Sequence, residues 1–326
     1  KVRVMKIGLW HAVARSKDLR SKPLRVFFDD QSLVLFRTKE GVAALVDRCP
    51  HRFAELSKGR LVENTIECPY HGWRFASDGR CVDIPGSISL LPKCRVQRYN
   101  AIEAEGGIFL ASGQPTSPPT VHPMQGQDIV MRVVKSETRS TLIDTAENIL
   151  DAAHTHFTHK GLLRGLSRNR CRVQVKVTRG LDWAEAVYRG EDRQHGLASA
   201  ILDGARTKGV GRYRRPGIAE LEYWGPHGMV LATTFHLRKT TDGVVEGFGW
   251  LTAPRQFGLG FLKSLVFKPM FLYALEQDRR ILRSAFDNSC GATRMIGPLD
   301  ILRREIEGIE AGEMLVPGEQ HYEMEL

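Results

Sequence analysis

The chain has 326 residues, 42% apolar and 26% charged, which is ordinary for a globular protein and excludes a collagen-like, disordered or disulfide-scaffold chain. That length exceeds one small domain and points to two. A net charge of +10 favours acidic partners, but the densest basic cluster, GRYRRPG at 211–217, is short and lacks an aromatic-interleaved basic motif, so nucleic-acid binding is not expected.

The sequence begins at Lys1, without a start methionine, so its true N-terminus is unknown; no signal peptide is visible in it. Residues 1 to about 110 read as β-rich. LRVFFDDQSLVLFRTKEGVAALVDRCPHR alternates apolar runs with turn signals at Asp-Asp and Lys-Glu-Gly, and DGRCVDIPG and EGGIFLASG add short strands.

Within this region RCPHRFAELSKGRLVENTIECPYHGWRF carries Cys49 and His51, then Cys68 and His71. Thiolate and neutral imidazole are ligands for zinc and for iron. Three readings are open: unrelated packing, a structural zinc site, or a [2Fe–2S] cluster with two Cys on one iron and two His on the other. Zinc sites usually pair like with like, whereas the cluster requires one Cys and one His from each loop. Pro50 and Pro69 follow the two cysteines and would stiffen both loops. The six cysteines could form three disulfides, but two at ligand spacing beside histidines fit a metal site in a reducing compartment, and a cytoplasmic location is expected.

SGQPTSPPTVHP at 112–123 is the best linker, and divides the chain into expected domains 1–115 and 116–326. Beyond it a strand-like run turns helical near residue 141. Leu142, Ile143, Ala146, Ile149, Leu150 and Ala153 recur at three- and four-residue steps, with Gly161 as a stop. On such a helix Asp151 and His154 share a face. The stretch NILDAAHTHFTH also contains Asn148, His156 and His159. Two histidines and a carboxylate form the facial triad of non-haem Fe(II) oxygenases; the bland alternative is a solvated helix end. Strand-like runs follow near 171–189, 219–224, 229–239 and 244–252, and the chain ends in helical patterns, YALEQDRRILRSAFDN and PLDILRREIEGIEAGE. The apolar segment 257–275 is broken by Lys263, Lys268 and Pro269; it reads as a buried or lid segment rather than a membrane span.

CPHR…CPYHGWRF resembles the Rieske domain of the ring-hydroxylating oxygenases, and D-x-x-H-x4-H resembles the iron motif of the same family. The resemblance implies an α+β fold: an N-terminal all-β Rieske [2Fe–2S] domain, then a catalytic domain with a curved antiparallel sheet around a long helix, a helix-grip. It implies Cys49, His51, Cys68 and His71 as cluster ligands and His154, His159 and Asp278 as ligands of a mononuclear Fe(II). His156 is the decoy, Glu276 the fallback carboxylate, and Asp287 is too near its helix end. Asp151, with Asn148 beside it, is implied as a bridge that carries electrons across a subunit boundary through His71 and His154, within a head-to-tail homotrimer.

The implied activity is that of a terminal oxygenase component. It uses O2, and electrons from NAD(P)H through a separate ferredoxin or flavin reductase, to hydroxylate a small apolar aromatic or polycyclic substrate. Monooxygenation is expected over dioxygenation. An O- or N-demethylase of the same mechanism and a Rieske electron carrier without oxygen chemistry are the alternatives. Leu150, Ala153, Trp224, Phe235 and Phe286 are candidate pocket residues, though each suits a plain core.

Overall fold

The computed structural model describes residues 8–88, 93–124, 126–162, 170–190, 206–241, 243–255 and 259–326; at Thr241 and within 259–267 only the backbone is described. It divides into two compact units, Lys1–Thr120 and Val121–Leu326, with the division inside the Pro-rich stretch.

The first unit is built of β1 (His11–Arg15), β2 (Leu24–Phe28), β3 (Gln31–Thr38), β4 (Gly41–Val46), β5 (Arg60–Val62), β6 (Thr65–Glu67), β7 (Arg74–Phe75), β8 (Cys81–Asp83), β9 (Arg98–Ala104) and β10 (Gly107–Ala111). Six strands form an antiparallel sheet in the order β1-β10-β9-β4-β3-β2, and four form a small sheet, β5-β6-β7-β8. Asp29-Asp30 and Glu105-Gly106 close two of its hairpins with positive φ at both positions (52° and 58°, 47° and 78°), the turn whose twist matches the flanking strands. β3 is buried on both faces. Leu33 and Leu35 enter a core with Val26, Ala44 and Leu110, while Val34 and Phe36 enter a second core with Leu45, Leu56, Ile66 and Phe75. That second core fastens the small sheet to the large one by apolar burial, at about 1.5–3 kcal/mol per large side chain.

The second unit holds β11 (Ile129–Arg139), β12 (Arg172–Arg179), β13 (Trp183–Arg189), β14 (Lys208–Arg214), β15 (Ile218–Gly225), β16 (Gly228–Thr241), β17 (Val244–Pro254) and β18 (Gly318–Glu325). They form one antiparallel sheet, β11-β17-β16-β15-β14-β13-β12-β18. Its helices are α1 (Leu142–Leu150), α2 (Thr155–Thr158), α3 (Leu259–Asn288) and α4 (Arg303–Glu310). Val173, Val175 and Val177 alternate inward from β12, as do Ala184, Ala186 and Tyr188 from β13. They meet α1, α3 and α4 in a single core, and α3 packs along β11. This is the α+β arrangement expected: a sheet domain followed by a sheet with helices on one face.

Several local expectations change. The helix expected to run to Gly161 ends at Leu150 and restarts as the single turn α2. β18 was not expected at all; its polar sequence GEQHYEME lacks an apolar alternation, yet it pairs with β12 along its whole length. GRYRRPG is largely strand β14 rather than a free basic cluster. Arg212 pairs with Glu185, Glu220 and Glu222, Arg214 with Glu220, and Arg215 donates to the Ile309 carbonyl of α4, so these groups are engaged within the second unit. Residues 256–258 and the side chains of 259–267 lie outside the described residues, and with them part of the lid expected at 257–275; from Lys268 onward that segment belongs to α3. Among the described residues no helix is long and apolar enough to cross a membrane.

Candidate metal centres

Two loops at one end of the small sheet are copies of each other. In the first, Cys49 N–H donates to the Ala54 carbonyl at 2.8 Å and Phe53 N–H to the Cys49 carbonyl at 2.9 Å. In the second, Cys68 N–H donates to the Trp73 carbonyl at 2.8 Å and Gly72 N–H to the Cys68 carbonyl at 3.1 Å. The fifth position of each loop has positive φ, 59° at Phe53 and 72° at Gly72. Each loop therefore turns its Cys inward and carries its His outward.

Cys49 and Cys68 are buried, with their thiols close enough to interact. Burial, then the neighbouring Cys68, pushes the Cys49 thiol up to about 11, so thiolate formation there calls for a cation. His51 and His71 are exposed, with ring centroids 4.7 Å apart. Trp73 stacks on His51 at 4.7 Å, and Tyr70 lies 3.9 Å from His71. Two buried thiols and two fixed imidazoles match the donor set of a Rieske cluster.

Phe53 occupies a conformation that suits glycine, as its counterpart Gly72 does, and is 69% exposed. Phe53→Gly is therefore expected to leave cluster binding unchanged and to raise stability by about 1 kcal/mol, through relief of left-handed strain. Thermal unfolding read alongside cluster absorbance checks this.

In the second unit, Asp151 breaks the helix. It caps α1 in extended conformation (φ −75°, ψ 118°), and its carboxylate accepts from Ala153 N–H at 2.6 Å and His154 N–H at 3.1 Å. Asp side chains that bond backbone N–H groups just ahead compete with helix continuation. Asp151 and His154 thus do not share a helical face. Instead the Asp151 backbone carbonyl takes His154 Nδ1 at 2.7 Å, with the carboxylate 3.6 Å from the same nitrogen.

His154, His159 and Asp278 converge: one ligand atom from each lies within 4.8 Å of the other two. Asp278 Oδ1 is 3.1 Å from His159 Nε2 and 3.5 Å from His154 Nε2. It is buried and makes no hydrogen bond, so the attraction is electrostatic rather than directional. A buried carboxylate oxygen facing two imidazoles and otherwise orphaned fits a cation. Burial alone would depress His154, but Asp151 and Asp278 outweigh it and hold it up at about 9. Burial alone would raise Asp278, but the two imidazoles hold it below the usual carboxylate range.

The spacing along α3 explains why Asp278 is the carboxylate. Phe271 and Leu275 pack into the core and Leu282 is buried, and Asp278 falls in the same seam. Glu276 points away and pairs with Arg279 and Arg280, while Asp287 pairs with Arg139. His156 contributes no atom to the convergent set.

One residue in this site escaped the sequence reading. Gln277 Oε1 accepts from His159 Nδ1 at 2.9 Å. Both histidines therefore have Nδ1 engaged and Nε2 turned to the site, an arrangement that fixes tautomer and ring orientation. Gln277→Leu is expected to weaken Fe(II) affinity by about 10–100-fold. Metal competition on the metal-free protein tests it.

Of the candidate pocket residues, Leu150 and Phe235 lie in the core with Ala153 against it, and Phe235 stacks on Phe271 at 6.0 Å. Trp224 is on the charged side of the sheet, donating to Glu222 at 2.9 Å beneath Lys208. Phe286 packs at the β16–β17 turn against Gly243 and Arg139. Asn148 and Asp151 border a crevice of about 170 Å³ with Arg294 and Leu299.

A family profile described as the Rieske [2Fe-2S] domain matches residues 9–99. The dicamba O-demethylase oxygenase component of Stenotrophomonas maltophilia is 34% identical over 181 residues, 52% of each chain. The 3-chlorobenzoate-3,4-dioxygenase oxygenase subunit of Comamonas testosteroni is 30% identical over 164 residues, 47% of this chain and 37% of that one. Residues 9–99 make up a Rieske [2Fe-2S] domain. The chain spans about a third to a half of the length of the curated relatives it matches. Its fold extends the likeness: Pseudomonas putida CBB5 NdmA, solved with caffeine, superposes with a TM-score of 0.77 at 20% identity, covering 91% of this chain and 88% of that one.

Proposed function

We propose that the chain is the terminal oxygenase component of a multicomponent system that hydroxylates a small apolar aromatic or polycyclic substrate with O2. The observation that carries this reading is the buried Asp278 oxygen facing His154 and His159 with no hydrogen bond of its own. The three residues would hold Fe(II), which supplies O2 activation when bound and leaves open positions for O2 and substrate. Cys49, Cys68, His51 and His71 would hold the cluster that stores and relays one electron at a time. Asp151 and Gln277 orient the two iron-facing imidazoles through Nδ1. Leu150, Ala153 and Phe235 would form the apolar wall of the substrate site.

Electrons would come from NAD(P)H through a ferredoxin or flavin reductase. Arg48 over Phe53 and Arg52 over Tyr70 give the exposed cluster tip a cationic, aromatic surface suited to an acidic carrier. The active form would be a head-to-tail homotrimer in which Asp151 links His154 to the partner subunit's cluster, in a cytoplasmic setting.

The deciding experiment is electron paramagnetic resonance on anaerobically reduced protein exposed to nitric oxide. A Rieske signal with a ferrous-nitrosyl signal supports the proposal. A Rieske signal that stays alone after reconstitution with Fe(II) leaves an electron carrier, and zinc in place of both overturns the reading.

A demethylase is the second reading, favoured by the dicamba O-demethylase likeness. An O-methyl substrate, O2, two electrons and two protons would give the free hydroxyl, formaldehyde and water. Formaldehyde formed in step with O2 uptake separates demethylation from ring hydroxylation.

A further inference from the structure

Two cysteines outside the cluster loops face each other across a short antiparallel pairing. Val96 N–H donates to the Gly79 carbonyl at 2.9 Å, and Cys81 N–H donates to the Cys94 carbonyl at 3.3 Å. Arg80 and Arg95 form the bridge between them, so Cys81 of β8 lies directly opposite Cys94. Directly opposed residues that share a ladder hydrogen bond sit about 5.5 Å apart at Cα, within the range a disulfide spans. Their side chains point to the same face of the pairing, and the two thiols lie close enough to interact. Cys81 is 9% exposed, while Cys94 is half-buried and reachable. Neither belongs to the loop pattern that carries Cys49 and Cys68.

We propose that Cys81 and Cys94 are a thiol–disulfide pair, oxidised by a low-molecular-weight disulfide such as oxidised glutathione. The Cys94 thiol displaces one glutathione and becomes a mixed disulfide. The Cys81 thiol then attacks the Cys94 sulfur and releases the second glutathione. Two protein thiols become one disulfide, one small disulfide becomes two thiols, and both protons leave on the glutathione sulfurs. Closure ties β8 to the chain at Cys94. β8 pairs with β7, which directly follows the second cluster loop, so the crosslink braces the sheet that holds half of the cluster ligands.

The test uses the cluster-loaded protein, kept anaerobic and incubated with oxidised glutathione, with peptide mapping by mass spectrometry and visible absorbance read together. The expected result is a Cys81–Cys94 linked peptide in most chains with cluster absorbance unchanged. Cluster bleaching by a chelator on warming should then slow by about tenfold, within the range a short-loop disulfide gives, and dithiothreitol should reverse it. Cys81→Ser should stop at glutathione on Cys94, and Cys94→Ala should gain neither link nor protection. Glutathione persisting on Cys94 of the unaltered protein overturns the proposal. So does linkage through Cys49 or Cys68 with bleaching, or no reaction at Cys94.

Discussion

Asp278→Ala is expected to strip the mononuclear iron, keep the Rieske cluster, and lower product formation by at least about a hundredfold. Loss of an outer partner alone costs up to that factor, and Asp278 touches the site itself. The substitution should not unfold the protein. Asp278 Oδ1 is buried without a hydrogen bond, so in the metal-free chain it carries a desolvation cost with only the imidazoles to offset it. Removing it takes a counter-charge from two buried imidazoles, so metal-free stability should fall by up to about 3 kcal/mol while the fold persists. Iron per chain by elemental analysis, the ferrous-nitrosyl signal and a denaturant melt together read the result. Product formation with normal iron content would move the assignment to another carboxylate, although Glu276 already spends its charge on two arginines.

Asp151→Asn is the second large effect: both metal centres should survive while electron delivery to the iron slows by about a hundredfold. Asp151 does two jobs that this substitution separates. Its two oxygens cap the Ala153 and His154 N–H groups, and its negative charge faces His154. Asparagine keeps one acceptor oxygen and loses the charge, so the turn should persist at a cost of about 1 kcal/mol. In a single-turnover mix of reduced protein, substrate and O2, reoxidation of the cluster is followed optically. A parental rate with both metals present would remove Asp151 from the electron route; iron loss would make it a structural turn residue instead.

How much of this was legible in the sequence depended on how local each device is. The two candidate cluster loops were readable because each packs a Cys and a His into four residues or fewer, and pairing unlike donors has few structural uses. His154 and His159 span six residues, and choosing them over His156 rested on resemblance. Asp278 lies far along the chain, and the choice over Glu276 rested on resemblance, although the step from Phe271 to Leu275, Asp278 and Leu282 carried a helical seam that could have decided it. Gln277 had no signal, because a glutamine on a helix is ordinary until an imidazole is found opposite. The break at Asp151 was hidden by apolar periodicity that continues to Ala153 across the cap. β18 was hidden because an edge strand with exposed side chains needs no apolar alternation; its backbone ladder to β12 does the work.

The convergence of His154 and His159 with a carboxylate far along the chain has a consequence for handling the protein. His159 and Gln277 are 118 residues apart, and an ion held between the α2 region and α3 ties two distant segments of the second unit together. By mass action a ligand at a hundred times its dissociation constant adds about 2.7 kcal/mol of stability, and one at its dissociation constant adds almost none. Melting temperature should therefore track free Fe(II) while the ions in the first unit stay unchanged. Preparations from iron-poor growth or chelating buffers would then age faster through opening of the second unit.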